Sequence, residues 1–540
     1  MLKIFCCGIS VTVLYYNVLI SVCFNRLTIL QCTLLWTPTL HKKIKVRAFT
    51  ISWHQGDRTY ACKTIDENIQ YLLQRKMDLT VSAGRFAVSA IFLTITAVIF
   101  FQVDKAQPTP YMDEIFHVPQ AQKYCAGNFT EWDPMITTPP GLYIMSVALI
   151  QPVSQLLQVE REDICTTKIL RMTNMFFAVV NFFVLDALLR RIHQNSKISR
   201  GLTPSGTAFS LSTFPVLFFF ANLYYTDMGS TCFVLLAYLA SQYSNHFLAA
   251  VFGSASLLFR QTNVVWVVFL AGTTFVRLLE KDALKSQNQA KQLNKSYLSA
   301  VQVAINYALD VKNMVKMIAC LWLYGVVVLG FLIFVFINKG IVLGDKEHHQ
   351  AVFHVPQLFY FAAFTMGLAA PFLLSFDKVG RFLKSLRGNG WLFLLLFAFM
   401  LAAVHQFTYV HKYLLADNRH IPFYVWRKIY QRHELVRYIL VPGYVYAGWS
   451  IFDSLAGNSL LWRLIYMICL VVACVPQKLL EFRYFILPFI IFRLNVHPQA
   501  KWKSLVELLL YCAINGTMLY LFLMKPFTWE GNPEEQRFLW

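Results

Sequence analysis

The sequence predicts an all-α membrane protein, a polytopic bundle of about 11–14 transmembrane helices with a long loop after the first strong span. Three observations carry this. Apolar residues make up 57% of the 540 and charged residues only 14%, whereas soluble domains carry about 25% charged residues. A spanning helix needs roughly 20 mostly apolar residues, and such stretches recur along the whole chain. The basic residues (48 Lys+Arg against 28 Asp+Glu) fall in short runs between them, at 190–200, 281–295 and 378–387. That is the pattern of cytosolic loops, so the formal charge of +20 marks membrane orientation rather than nucleic-acid binding. Spanning backbone must satisfy its own amides in lipid, which leaves a helical bundle.

In chain order, the strong candidate spans are 86–103, 169–189, 208–225, 228–246, 264–279, 314–337, 356–374, 391–410, 434–452, 460–475 and 504–524. Weaker candidates are 142–157, 247–259 and 484–494. Residues 1–84 form an extension and lead-in, and 85–540 form the membrane domain. Within the extension, 4–24 is apolar enough for an anchor, while 40–76 is polar and patternless, and Met77 directly precedes the first strong span. Residues 1–76 are therefore expected to be an upstream addition of the gene model. Arg75, Lys76 and Arg85 place the start of 86–103 in the cytosol and loop 104–141 in the lumen. Loops 280–313 and 375–390 are cytosolic by the same rule, and 338–355 and 411–433 luminal. Two features resist this: 411–433 is itself basic, and 190–200 looks cytosolic although parity makes it luminal. The 12 cysteines, among them Cys6, Cys7, Cys23, Cys32 and Cys62, form no CxxC pair, so neither a zinc site nor a disulfide framework is indicated.

Loop 104–141 is long, polar and rich in aromatic residues. Long loops between spans are usually functional or disordered. In a helix beginning near Tyr111, Asp113 and His117 stand at i and i+4 on one face, with Glu114 adjacent. An acid held there can accept a proton from a hydroxyl; the alternative is an acid favoured by a helix N-terminus. Asp133 precedes Pro134 and either starts a turn or contacts substrate. Asn128-Phe129-Thr130 is a glycosylation sequon. In 411–428, His411, Lys412, Arg419, His420, Arg427 and Lys428 surround Asp417 and Asn418. Such groups suit a phosphate or, equally, anionic headgroups. Arg260 and Arg483 lie beside apolar runs, where costly charges face the bundle interior and either contact substrate or pair structurally, Arg483 with Glu481 two residues away. The histidines of 345–354, among them His349, have no metal-ligand spacing, so no metal is expected.

Six stretches carry a resemblance: PYMDEIFHVPQAQKYC (110–125), WDPMITTPPGLY (132–143), FRQTNVVW (259–266), HKYLLADNRH (411–420), FYVWRK (423–428) and VPQKLLEFRYFILPF (475–489). Over about 77–540 the chain resembles the dolichyl-phosphate-glucose-dependent α-1,2-glucosyltransferase family of protein N-glycosylation, of the GT-C class. It departs from the family pattern by a proline in place of a leucine in the Pro139-Pro140 pair. The resemblance implies a multi-pass endoplasmic-reticulum protein with a luminal active site. Such an enzyme transfers glucose from dolichyl phosphate glucose to the diglucosylated, dolichyl-diphosphate-linked oligosaccharide and inverts the anomeric centre. It also implies Asp113 as base, with Glu114 and Asp133 in reserve, phosphate contacts among His411, Lys412, Arg419 and His420, and no cofactor beyond the donor. Two other classes remain open, a transporter or scramblase and a non-catalytic partner of an ion channel. A transporter predicts Gly/Pro-broken helices in two related halves, and no such symmetry is present.

Overall fold

The computed structural model describes residues 58–196, 201–285, 287–348, 350–497 and 499–540. The apolar segment 4–24, most of the extension with four of its five cysteines, and His349 lie outside the described residues. The chain divides into two units, 1–76 and 77–540, and apart from residues 58–76 of the first helix the architecture that follows is that of the second. The helices of ten residues or more are α1 (Arg58–Ala106), α2 (Glu114–Cys125), α3 (Gly141–Leu157), α4 (Thr167–Ile192), α5 (Thr203–Ser212), α6 (Thr226–Gln242), α7 (His246–Phe259), α8 (Val264–Ala283), α9 (Tyr297–Leu309), α10 (Val311–Asn338), α11 (Pro356–Leu368), α12 (Phe376–Gly388), α13 (Gly390–Gln406), α14 (Val441–Ser454), α15 (Leu460–Cys474), α16 (Ile486–Asn495) and α17 (Lys501–Met524). A two-stranded antiparallel hairpin, β1 (Phe527–Trp529) and β2 (Asn532–Gln536), follows them.

The all-α membrane architecture stands, and many of its apolar helices are shorter and more broken than the hydropathy suggests. Among the described residues, five helices are long and apolar enough to cross a bilayer: Val81–Ala106 within α1, α4, Gln261–Ala283 including α8, α10 and α17. A sixth span results if α12 and α13, bent by 100° at their junction, count as one. Helices α3, α7 and α15 are apolar but shorter. Proline accounts for much of the difference, because it lacks an N–H and disfavours helix in the residue before it. The expected span 208–225 breaks ahead of Pro215, which opens the six-residue helix Pro215–Phe220. The expected span 356–374 breaks ahead of Pro371, which lies in the four-residue helix Ala370–Leu373. Every residue of α16 is buried, so this apolar helix faces protein and not lipid. Phe214 stacks on Phe489 at 4.5 Å between ring centroids, with Tyr511 and Phe364 edge-on, and these rings knit α16 and α17 into the core.

Helices α1 and α4 run antiparallel, pinned at both ends. Arg85 pairs with Asp186 at 3.0 Å at one end. Lys168 and Arg171 reach Asp104 at 3.2 and 3.6 Å at the other. A disulfide joins Cys125 at the end of α2 to Cys165 just before α4. The expectation that the cysteines form no bridge is thereby corrected. The spacing of 40 residues carries no sequence signature; the pairing exists because the short link after α3 brings Cys165 back to the end of α2. Both ends of α3 therefore lie on one side, and α3 does not count as a crossing. The run that begins at Arg190 then falls on the Arg85 side, which removes the conflict between parity and charge.

Candidate active site

The first loop is shaped to present one carboxylate and hide its neighbour. Met112 has φ 57°, the left-handed region that a methionine rarely adopts. Strain of this kind is held only by over-determining surroundings and clusters at functional sites. It turns Asp113 into the N-cap of α2, where its N–H donates to the Tyr225 hydroxyl at 3.2 Å. Glu114, one residue on, is fully buried. One Glu114 oxygen accepts from Arg171 Nε at 2.8 Å and from the Tyr224 N–H at 2.6 Å. The other accepts from Arg171 Nη2 at 2.6 Å and from the Tyr111 N–H at 3.0 Å. Four donors fill a carboxylate's acceptor capacity, so Glu114 anchors the loop to α4 and is not placed to take a proton from a substrate.

The Asp113 side chain is 43% exposed, and its Oδ2 lies 3.1 Å from Arg483 Nη2. Burial of the carboxyl favours protonation, but the Arg483 guanidinium outweighs it and holds Asp113 below the usual carboxylate range. His117, one turn along α2, bonds the Tyr143 hydroxyl through Nδ1 at 2.6 Å. Burial pushes the His117 imidazole down to about 4, against the pull of Asp113, so it is neutral at physiological pH.

Arg483 sits in a 3-10 turn, Phe482–Phe485. Its Nε bonds Glu481, its Nη1 lies 3.6 Å from Asp227, and its guanidinium lies over the rings of Tyr225 and Phe220 at 4.9 and 5.2 Å. Arg260, in the break between α7 and α8, pairs with the other oxygen of Asp227 at 2.9 Å and donates to Thr226 Oγ1 at 3.2 Å. The two arginines and Asp227 line an open cleft together with Ser230, Asn263 and Gln477. Ala473, Ile486 and Leu487 continue its wall on an apolar side. Two arginines in a partly apolar cleft, beside a carboxylate, are groups that can hold a phosphate and deprotonate a hydroxyl.

The other expected site residues divide. His420 lies within electrostatic reach of Asp113 and bonds the Trp540 carbonyl at 2.8 Å. Asp133 caps its own turn, accepting from the Met135 N–H at 2.9 Å. His411 is buried, accepts from the Tyr413 N–H and bonds the His348 carbonyl at 3.0 Å. Asp417 and Arg419 pair at 2.7 Å, and Arg419 also donates to Gln536 at 2.8 Å. Lys412 is exposed. The structure thus brings together Asp113, His117, His420, Arg483 and Arg260, and turns His411, Asp417 and Arg419 toward neighbouring loops.

Sequence reasoning missed Asp227, Arg171 and the tail beyond Lys525. An acid at the edge of the apolar run TDMGS is a functional signal by its cost alone. It also passed over a short repeat: Phe-His-Val-Pro-Gln occurs at 116–120 and 353–357. In both copies the glutamine is buried and donates to loop carbonyls, Gln120 to Glu131 at 2.7 Å and Gln357 to Gln477 and Leu479 at 3.0 and 2.9 Å. The second copy fixes the stretch that leads to Glu481 and Arg483.

The sequence model of the DIE2/ALG10 family matches residues 107–494. The chain is 43% identical over 464 residues to a Mus musculus protein named Dol-P-Glc:Glc(2)Man(9)GlcNAc(2)-PP-Dol alpha-1,2-glucosyltransferase, covering 84% of this chain and 98% of the relative. It is 42% identical over 466 residues to a Homo sapiens protein of the same name, with 84% and 98% covered. An Arabidopsis thaliana protein of that name is 35% identical over 519 residues, with 85% of this chain and 100% of the relative covered. No solved structure matches the chain significantly.

Proposed function

The chain belongs to the DIE2/ALG10 family, and on that premise we propose that it transfers glucose from dolichyl phosphate glucose to the diglucosylated, dolichyl-diphosphate-linked oligosaccharide, forming an α-1,2 bond with inversion. The observation that carries the chemistry is Asp113, partly open and paired with Arg483 at the rim of the cleft that Arg483 and Arg260 line. The acceptor hydroxyl oxygen attacks the anomeric carbon, the carbon–oxygen bond to phosphate breaks, and the hydroxyl proton passes to Asp113. Arg483 and Arg260 stabilise the charge that collects on the leaving phosphate. As Arg483 turns to that phosphate its hold on Asp113 weakens, and the carboxylate becomes the stronger base the step requires. His117, neutral, adds no competing charge. The phosphate is a good leaving group, so no second carboxyl is needed as acid, which suits the sequestered Glu114.

The active site faces the lumen of the endoplasmic reticulum in this reading. Two features support it. The disulfide Cys125–Cys165 lies on the side of the loop that carries Asp113, and disulfides persist in oxidising compartments. The opposite end of α1 and α4 carries Arg85, Arg190 and Arg191, as cytosolic ends do. The test is a microsomal assay in cells lacking the enzyme. Conversion of diglucosylated to triglucosylated lipid-linked oligosaccharide with dolichyl phosphate glucose is expected, and its absence at normal expression refutes the proposal.

A further inference from the structure

The stretch after β2 ties together parts of the site that are far apart in sequence. The Tyr111 hydroxyl donates to the Arg537 carbonyl and accepts from the Arg537 N–H, each at 2.7 Å. The Arg537 guanidinium donates to the carbonyls of Phe522 at 2.8 Å and Ala106 at 3.0 Å. Two residues further, Leu539 brackets His420: its N–H donates to the Arg419 carbonyl at 3.0 Å, and its carbonyl accepts from the Ile421 N–H at 2.9 Å. The Trp540 carbonyl accepts from His420 Nδ1 at 2.8 Å, and its indole lies 6.0 Å from the Phe482 ring. Residues 537–540 therefore touch the residue two before Asp113, the His420 imidazole, and the residue next to Arg483.

None of these contacts reaches the Asp113 carboxylate directly; the lever is Met112. A residue at φ 57° keeps that conformation only while both flanks are fixed. On the far flank, α2 and the Tyr225 hydroxyl hold the Asp113 backbone. On the near flank, Tyr111 is held by its N–H to Glu114 and by its hydroxyl to Arg537. Releasing the hydroxyl frees the ring end of Tyr111 and lets the strained residue relax, which moves Asp113 relative to Arg483. A misplacement of about 1 Å at a reacting group can cost on the order of a hundredfold in rate.

We propose that Tyr111 and residues 537–540 form a clasp that sets the position of Asp113 against the acceptor hydroxyl, with Tyr111 a positioning residue for the transfer. This rests on the reading of Asp113 as base. Tyr111→Phe keeps the ring and removes both hydroxyl bonds. It is expected to lower kcat per folded molecule roughly tenfold with the KM for dolichyl phosphate glucose within about twofold. Added to Asp113→Asn, it is expected to lower the residual rate no further, because two residues acting through one step are not additive. Glu530→Ala, in the exposed hairpin turn, is expected to leave activity unchanged. Folding is read from retention of the Cys125–Cys165 bond. Should Tyr111→Phe not accumulate, Leu539→Pro removes the N–H to Arg419 at the other end of the clasp and is expected to lower kcat in the same sense. A wild-type kcat in the accumulating variant, or a full additive loss on top of Asp113→Asn, overturns the clasp. No transfer by the wild-type chain overturns the functional reading instead.

Discussion

Asp113 and Arg483 stand 370 residues apart in sequence and 3.1 Å apart in space. The pair joins the first long loop to the turn before α16. In the proposed mechanism the same arginine that pairs with the base also lines the cleft for the leaving group, which would couple donor binding to activation of the acceptor hydroxyl.

Asp113→Asn should lower turnover by roughly 10²–10⁴-fold, the usual contribution of a general base, with donor KM little changed. The measurement is triglucosylated product per molecule of enzyme in microsomes. Near-wild-type turnover would remove Asp113 from the mechanism.

Glu114→Gln is expected to behave differently, as a folding defect. It leaves Arg171 charged and buried with its main partner neutralised, and breaking a buried ion pair costs about 3–5 kcal/mol. Steady-state abundance should fall, while the rate per surviving molecule stays within a few-fold of wild type. Full abundance together with a loss of kcat as large as that of Asp113→Asn would reverse the roles assigned to the two acids.

Arg483→Gln should raise the donor KM and lower kcat together, and Lys412→Ala should change neither by more than about twofold. Removing one charge-assisted contact to a phosphate costs about 1.5–3 kcal/mol, or roughly 10- to 150-fold. The reverse ranking of the two variants would return the donor phosphate to the 411–420 segment.

The pH dependence follows from the direction in which Asp113 is shifted. Its carboxyl is held below the usual carboxylate range, so the ionised, active form persists above that lowered value and is lost only as pH falls through it. His117 titrates at about 4 and adds no step near neutrality. The rate should therefore be flat between about pH 5.5 and 7.5. In Arg483→Gln the acid limb should move to higher pH, since the charge that lowers the Asp113 pKa is gone. A limb that does not move would show that another group controls it.

The return of α3 makes a topological prediction. A glycosylation sequon introduced at 158–162 should be used in microsomes, as should Asn128, because both flank the disulfide side. A tag in 281–295 should be digested by protease added to sealed vesicles. Protection of that tag, or an unused sequon at 158–162, would mean that α3 crosses after all.

The sequence alone determined the class of the molecule. Hydropathy acts locally, so apolar runs and basic loops announce a helical membrane protein without any knowledge of contacts. The motifs around Asp113, Arg260, His420 and Arg483 are likewise legible where they stand. What tertiary structure decided was which neighbours these groups have. Glu114 and Asp113 are adjacent acids, and only the position of Arg171 on α4 makes one an anchor and leaves the other open. Charge density at 411–420 is visible in sequence, but pairing is not: Arg419 is met by Asp417 and Gln536, Arg483 by Glu481, Asp113 and Asp227, and Arg260 by the same Asp227. Whether α3 crosses depends on where Cys125 and Cys165 meet. Long-range contacts of this kind leave no periodicity in the chain, because closing a loop of tens or hundreds of residues constrains only its two ends.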